Sequence, residues 1–452
     1  MVDSLRVNGD VLSNNDSLVV EFTSGKGEQG CTLYTSAVST LLGDVYRVCA
    51  VDANRPVETD LHYYFGVQPG RGLNEFRRND RFRKEYDSLR GNQRRSLFKS
   101  LTTETRKLNV ELISGFGEDF NPNRRLTPKE HEALWNNIKY LRDSGAFDYV
   151  MVNLPKGDDP YSTLPYANNA DILFLVVKPL FPSIKRTHTF VGELLAKKYH
   201  DEFGTNPAML MQIKSLRDDA ANLLKKLETV SDGKESVQNY IKLCRDIFEN
   251  IDYDRSVGER IAEIDRTLRK PYESGPSYSD RYNEMLRSLG LNVVMTAVPS
   301  EMPIGEAKEM LADFSKKIET EYRITASPIA LVTYDPSVVR AVNMNRAYFD
   351  ETEKEENGSD KNSNNERRGS VVDINPRSGV SYASYAIAKK IVEARNYSHE
   401  TCRSAVDAMK KGSDIAWGFL ANRAHPVIIH ETNNVYLRNI KSRSKAGVKE
   451  SA

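Results

Sequence analysis

One stretch near the start of the chain constrains the fold more than any other: Leu18-Val19-Val20-Glu21-Phe22-Thr23-Ser24-Gly25-Lys26-Gly27-Glu28-Gln29-Gly30-Cys31-Thr32. It reads as a short apolar strand, a glycine-punctuated loop and the opening of a helix. Against the phosphate-loop template G-x-x-x-x-G-K-[ST], Gly25, Gly30 and Thr32 are in register, while the lysine that would reach the β- and γ-phosphates is replaced by Cys31. The loop keeps its glycine framework and loses its principal charge. Backbone amides of Gly27 to Thr32 at a helix N-terminus still suit phosphate, because such a site is built from peptide groups and the helix dipole.

The residues after the loop extend the same pattern. Residues 32–42 continue as a helix ending at Gly43, and residues 45–51 form an apolar strand that ends in Asp52. This βαβ opening begins a parallel sheet. Asp52-Ala53-Asn54-Arg55-Pro56 is then a polar loop at the carboxyl end of a strand, where open α/β sheets place their ligands. Further strands are expected at 108–114, 147–152, 171–177, 291–298 and 329–333, and helices at 127–144, 183–202, 306–321, 337–342, 382–394 and 403–421. Thr127-Pro128-Lys129-Glu130 supplies an N-cap, a proline at the first helical position and an acid at the third. Strands this apolar on both faces belong inside a sheet covered by helices.

Four blocks of this sequence, in order, resemble the MinD/ParA group of deviant P-loop ATPases. Lys26-Gly27-Glu28-Gln29-Gly30-Cys31-Thr32 is similar to that group's K-G-G-x-G-K-T loop, with Glu28 in place of the second glycine. Val48-Cys49-Ala50-Val51-Asp52-Ala53-Asn54 resembles the strand ending in D-x-D, with the second aspartate replaced by Asn54. Leu61-His62-Tyr63-Tyr64-Phe65-Gly66 stands where the family has an L-D-L-L-L-G-like run. Phe147-Asp148-Tyr149-Val150-Met151-Val152-Asn153-Leu154-Pro155-Lys156-Gly157 is similar to the family's F-D-Y-V-I-V-D-x-P-P-G strand, with Asn153 at the metal-facing aspartate. Tyr334-Asp335-Pro336 resembles a late I-P-Y-D block, and Thr296 falls where a neighbouring strand usually carries an asparagine near adenine.

The resemblance implies a doubly wound parallel P-loop NTPase-like α/β sheet with helices on both faces, over residues 1–203 and 290–400. It implies ATP or ADP with Mg2+ as cofactors. Gly25, Lys26, Gly27, Gly30 and Thr32 would hold the nucleotide, and Thr32 and Asp52 the metal. Lys26 would cross a dimer interface, so a homodimer or a heterodimer with a related ATPase is expected. Cys31, Asn54 and Asn153 replace a lysine and two carboxylates, all charge-handling groups. Phosphoryl transfer depends on positioning and charge neutralisation, so the expected protein is an inactive or very slow pseudo-ATPase that positions a partner protein or complex. Cys31 has a second reading, since a thiol at a helix N-terminus can become a reactive thiolate.

Several segments lie outside the resemblance. Residues 204–289 read as an inserted helical subdomain, residues 351–373 as a disordered polar loop, and residues 401–452 as a helix and a basic tail. From Arg71 to Lys99 there are ten basic residues against four acidic ones, interleaved with aromatics. Arg77, Arg78, Arg81 and Arg83 of that stretch suit DNA backbone or an anionic partner, which gives the alternative of an active ATP-switched, partition-type ATPase bound to DNA. The same pattern fits a solvated helix face with its aromatics turned inward.

Composition narrows the remaining classes. The 452 residues carry a formal net charge of +1, so the chain as a whole has no attraction to nucleic acid or lipid. The four cysteines lie far apart without a C-x-x-C, which argues against a zinc site, an iron–sulfur site or a disulfide framework. No apolar run reaches a membrane span, the basic tail has too few large apolar residues for an amphipathic anchor, and residues 1–17 lack the apolar core of a signal peptide. A cytoplasmic location is expected.

Overall fold

A computed structural model describes residues 17–27, 29–54, 60–67, 72, 88–89, 92–99, 102–105, 107–114, 127–154, 163, 166–167, 169–203, 289–322, 324–336, 338–340, 343, 370–375, 378–395, 399–412 and 427–430. Among them, nine strands join into one sheet. In chain order the strands are β1 (Leu18–Thr23), β2 (Val48–Asp52), β3 (Thr103–Glu104), β4 (Val110–Ser114), β5 (Tyr149–Asn153), β6 (Ile172–Val177), β7 (Leu291–Val298), β8 (Ala326–Thr333) and β9 (Val427–Ile429). Across the sheet their order is β3-β4-β2-β5-β1-β6-β7-β8-β9. The seven central strands are parallel, while β3 and β9 close the two edges antiparallel.

The described helices are α1 (Cys31–Leu42), α2 (Leu61–Phe65), α3 (Asn92–Lys99), α4 (Pro128–Asp143), α5 (Phe181–Phe203), α6 (Ile304–Tyr322), α7 (Val371–Ile374), α8 (Gly379–Ala394) and α9 (His399–Gly412). They cover both faces. One face buries Leu134, Trp135 and Ile138 of α4 with Phe190 of α5 and Phe314 of α6. The other buries Tyr34 and Leu41 of α1 with Ile387 of α8 and Met409 of α9. Strand alternation sorts the side chains: Val19 of β1 joins the first core, and Leu18, Val20 and Phe22 join the second. Burying a side chain such as Phe22 contributes roughly 1.5–3 kcal/mol, and its ring stacks on Phe174 of β6 at 4.8 Å.

Local chemistry sets the helix ends. At α4, the Thr127 side chain accepts from the Glu130 amide and the Glu130 carboxylate accepts from the Thr127 amide, completing the capping box. The apolar positions Leu134, Ile138 and Leu141 then recur on one face and enter the core. At α8, Ser378 caps the start, three residues earlier than the apolar pattern alone indicated.

Most expected elements are present; several boundaries shift by up to three residues, as at β2, which begins at Val48, and β8, which begins at Ala326, and others differ more instructively. The strand expected from residue 108 begins at Val110, and Leu108 is 96% exposed. Residues 371–373, expected within the polar loop, belong to α7, because Val371 and Val372 are buried against the face that carries α1. Helix α9 starts at His399 and is described to Gly412, so the rest of the helix expected to 421 lies outside the described residues. The helical insertion at 204–288, residues 351–369 and the basic tail also lie outside them. No helix among the described residues is long and apolar enough to cross a membrane.

Candidate functional site: the loop between β1 and α1

The sheet order brings the sequence blocks together. Strand β5 lies between β2 and β1, so Asn153 stands opposite Asp52 on one side and Phe22 on the other. The loop after β1, the end of β2 and the end of β5 therefore share one edge of the sheet. The ends of β7 and β8, which carry Thr296 and Tyr334, lie farther along that edge. This is the crevice at the carboxyl ends of parallel strands in which α/β proteins bind ligands.

The loop is fixed by backbone shape and by the side chains of Gln29, Ser24 and Thr187. Gly30 is the N-cap of α1 with φ +99°, a left-handed conformation that favours glycine. Gly25 is pressed against α5, where an added Cβ would lie 2.4 Å from the Thr187 Cα, and its amide points to Thr187 Oγ1 at 3.4 Å. Gln29 is buried and bonds in two directions. Its Oε1 accepts from Ser183 Oγ at 2.7 Å and from the Lys178 amide at 3.1 Å, while its Nε2 donates to the Gly27 carbonyl at 3.1 Å. Ser24 Oγ donates to the Lys26 carbonyl at 2.5 Å. Gly27 lies between these tethers, and no acidic residue stands in the first turn of α1.

The charged and polar groups are arranged around this frame. Lys26 is exposed and Thr32 half-buried. Cys31 is half-buried, and desolvation pushes its thiol up to about 12 against the opposing hydrogen bond with Ser24. That direction favours the neutral thiol and runs against the reactive-thiolate reading. Tyr34 of α1 donates to Thr296 Oγ1 at 3.1 Å, tying the loop's helix to the end of β7. There Ala297 takes φ +51°, a strained conformation for alanine.

Asp52 is the centre of the polar cluster. Its Oδ1 accepts from Asn54 Nδ2 at 2.7 Å, Asn153 Nδ2 at 3.2 Å and the Asn54 amide at 3.2 Å. Its Oδ2 accepts from the Leu61 amide at 3.0 Å, which joins the start of α2 to the cluster. Burial raises the Asp52 carboxyl above its ordinary value, and these four donors pull it back. Asn54 Oδ1 is buried and has no hydrogen-bond partner among the described residues.

The expected metal residues do not form an open set of oxygens here. A Mg2+ ion at Asp52 would displace amide donors that this chain supplies, and two positions that would offer carboxylate oxygen offer N–H to Asp52 instead. Among the described residues, no group of three His, Cys, Asp or Glu side chains is placed to hold a metal ion. Asp52, Asn54 and Asn153 as they are paired do not fit a divalent cation, whereas Thr32, the other expected metal residue, is half-buried at the start of α1.

Sequence reasoning passed over Gln29, Ser183 and Thr187 as parts of the loop. Glu21 is likewise a finding of the structure: it is fully buried at the centre of β1, and, after burial itself, it adds to raising the Tyr166 hydroxyl well above its ordinary value. Tyr166 in turn meets His131 Nδ1 at 3.1 Å. The placement of Glu21 within an apolar strand marks it in the sequence. Arg77, Arg78, Arg81 and Arg83 lie outside the described residues.

A glycine-framed loop between the central strand and α1, with Asp52 and Asn153 paired beside it, stands at the carboxyl edge of a mostly parallel α/β sheet covered by helices on both faces. No protein-family model matches the chain, and no curated protein matches its sequence. Among solved structures, it is similar to a ParA family ATPase from Chlorobium tepidum, with TM-score 0.42 and 14% identity over 82% of this chain and 98% of that one. The septum site-determining protein MinD from Pyrococcus horikoshii, complexed with Mg-ADP, gives TM-score 0.41 and 12% identity over 84% and 98% of the two chains. An ATP complex of a Cyanothece McdA variant gives 0.38 and 13% over 73% and 88%. The nucleotides named belong to those proteins.

Proposed function

We propose that this protein is a MinD/ParA-like scaffold whose loop binds the phosphates of ATP or ADP with little or no hydrolysis, and which dimerises through the loop face to position a partner protein or complex. The observation that carries this reading is a contrast within one site. The groups that shape the loop are in place, with Gly30 left-handed at the N-cap and Gln29 bonded to Ser183. The groups that would handle charge are replaced, by a neutral thiol at Cys31 and by the amides of Asn54 and Asn153 turned onto Asp52.

These replacements fit one another electrostatically. Three carboxylates together need compensating cations, because like charges in a desolvated site repel. With the loop lysine gone, two amides in place of two acids leave one carboxylate, held by four hydrogen bonds. The same changes remove charge stabilisation at the γ-phosphate, on which hydrolysis depends.

Support for an interface comes from the loop rim. Lys26 is exposed there, and Leu180 and Phe181, just beyond the Lys178 amide that holds Gln29, are 52% and 75% exposed. Light scattering on the full chain with and without ATP, in parallel with binding of a fluorescent ATP analogue, tests the reading. Saturable binding together with a dimer that Lys26→Ala or Phe181→Glu weakens supports it. A chain that stays monomeric at every nucleotide concentration and ignores ATP overturns it.

A further inference from the structure

We infer that Asp52, Asn54 and Asn153 form a closed, metal-excluding latch, so that the loop beside them takes polyphosphate without a divalent cation. The hydrogen-bond geometry argues for closure. A carboxylate oxygen offers two lone pairs, and Asp52 Oδ1 already faces three donors while Oδ2 receives the Leu61 amide. Both asparagine amides present Nδ2 to the Asp52 carboxyl, so it is N–H and not amide oxygen that faces Oδ1. Each then directs the positive end of an N–H bond at the place where a cation would sit.

A cation would gain little by opening the cluster. Mg2+ requires near-octahedral oxygen ligation at about 2.0–2.1 Å and gives up its waters reluctantly. To reach Asp52 Oδ1 it would break the 2.7 Å bond from Asn54 and the 3.2 Å bond from Asn153, leaving buried amide donors without their acceptor. Asn54 Oδ1, without a hydrogen-bond partner among the described residues, is a neutral amide oxygen suited to a water or a ligand N–H.

The latch also has a mechanical role that a metal would otherwise share. It joins the ends of β2 and β5 and the start of α2 through one carboxylate. Asp52 is thus a positioning residue, and its bonds hold the floor of the crevice whether or not phosphate is present.

The metal-free uptake of polyphosphate rests on the proposed binding role of the loop, whereas metal exclusion by the latch does not, and two measurements on the full chain separate them. The first is the electron paramagnetic resonance signal of free Mn2+ titrated with protein alone. Wild type should leave it undiminished, while the double variant Asn54→Asp, Asn153→Asp should quench it and gain thermal stability when Mn2+ is added. Quenching by wild type that Asp52→Asn removes overturns the latch, and this arm decides even if the double variant does not fold. The second is ATP affinity with Mg2+ and with EDTA. Agreement within twofold is expected, and a tenfold or greater loss in EDTA overturns metal-free uptake. Absence of ATP binding under both conditions overturns the loop's binding role and leaves the Mn2+ result to judge the latch.

Discussion

Asn153, at the end of β5, stands directly opposite Asp52 of β2 in the parallel pairing of the two strands and donates from Nδ2 to its Oδ1 at 3.2 Å. Asn153→Asp replaces that donor with a second buried carboxylate at the same spacing. The variant should lose about 1–3 kcal/mol at neutral pH, through a lost hydrogen bond and a new repulsion. At acidic pH, once one of the two carboxyls takes up a proton, the loss should shrink. Urea unfolding at the two pH values measures both effects.

Gln29→Leu removes the acceptor of Ser183 Oγ and of the Lys178 amide and the donor to the Gly27 carbonyl. The Lys178 amide keeps Ser183 Oγ as acceptor at 3.2 Å, so a destabilisation of about 1 kcal/mol is expected from the bonds lost. Faster hydrogen exchange at Lys178 should accompany it, because the loop no longer pins the end of β6. Gln29→Glu should restore the acceptor and keep that exchange slow.

These two sites show what the sequence made legible. The strand, glycine loop and helix of β1 and α1, and the capping box of Thr127 and Glu130, are local and can be read from spacing alone. Cys31, Asn54 and Asn153 stand out one by one as replaced charges. Their meeting does not, because Asn153 reaches Asp52 only when β5 inserts between β2 and β1. Gln29 sits at a variable position of the loop template, and its partners are 149 and 154 residues away, so no local pattern announces it. Val371 and Val372 order a segment whose polar composition pointed the other way, because a packed neighbour supplies what composition lacks.

His62, on α2 beside the latch, is pushed down to about 4 by desolvation. Between that value and the unfolded value near 6.5, the unfolded chain binds a proton that the folded one refuses, so stability rises with pH through this window. The full contribution is present above the unfolded value and is lost as pH falls toward the folded one. On the order of 2–3 kcal/mol should disappear across the window. His62→Gln should flatten that part of the stability profile, as measured by thermal unfolding over a pH series.

Cys31→Lys returns a cation to the start of α1 without returning either acid. ATP affinity should rise by roughly tenfold, about 1.4 kcal/mol, the scale of one charge-assisted contact to phosphate. Hydrolysis should not appear, because Asn54 and Asn153 still place amides where carboxylates would act. Calorimetric titration with ATP reads the affinity.

Phosphate release from ATP with Mg2+, under single-turnover conditions with the full chain in excess, tests most directly whether the loop has kept its shape and lost its chemistry. Release no faster than in protein-free buffer, from a chain that demonstrably holds ATP, is the expected result. Mg2+-dependent release that Lys26→Ala abolishes would contradict it.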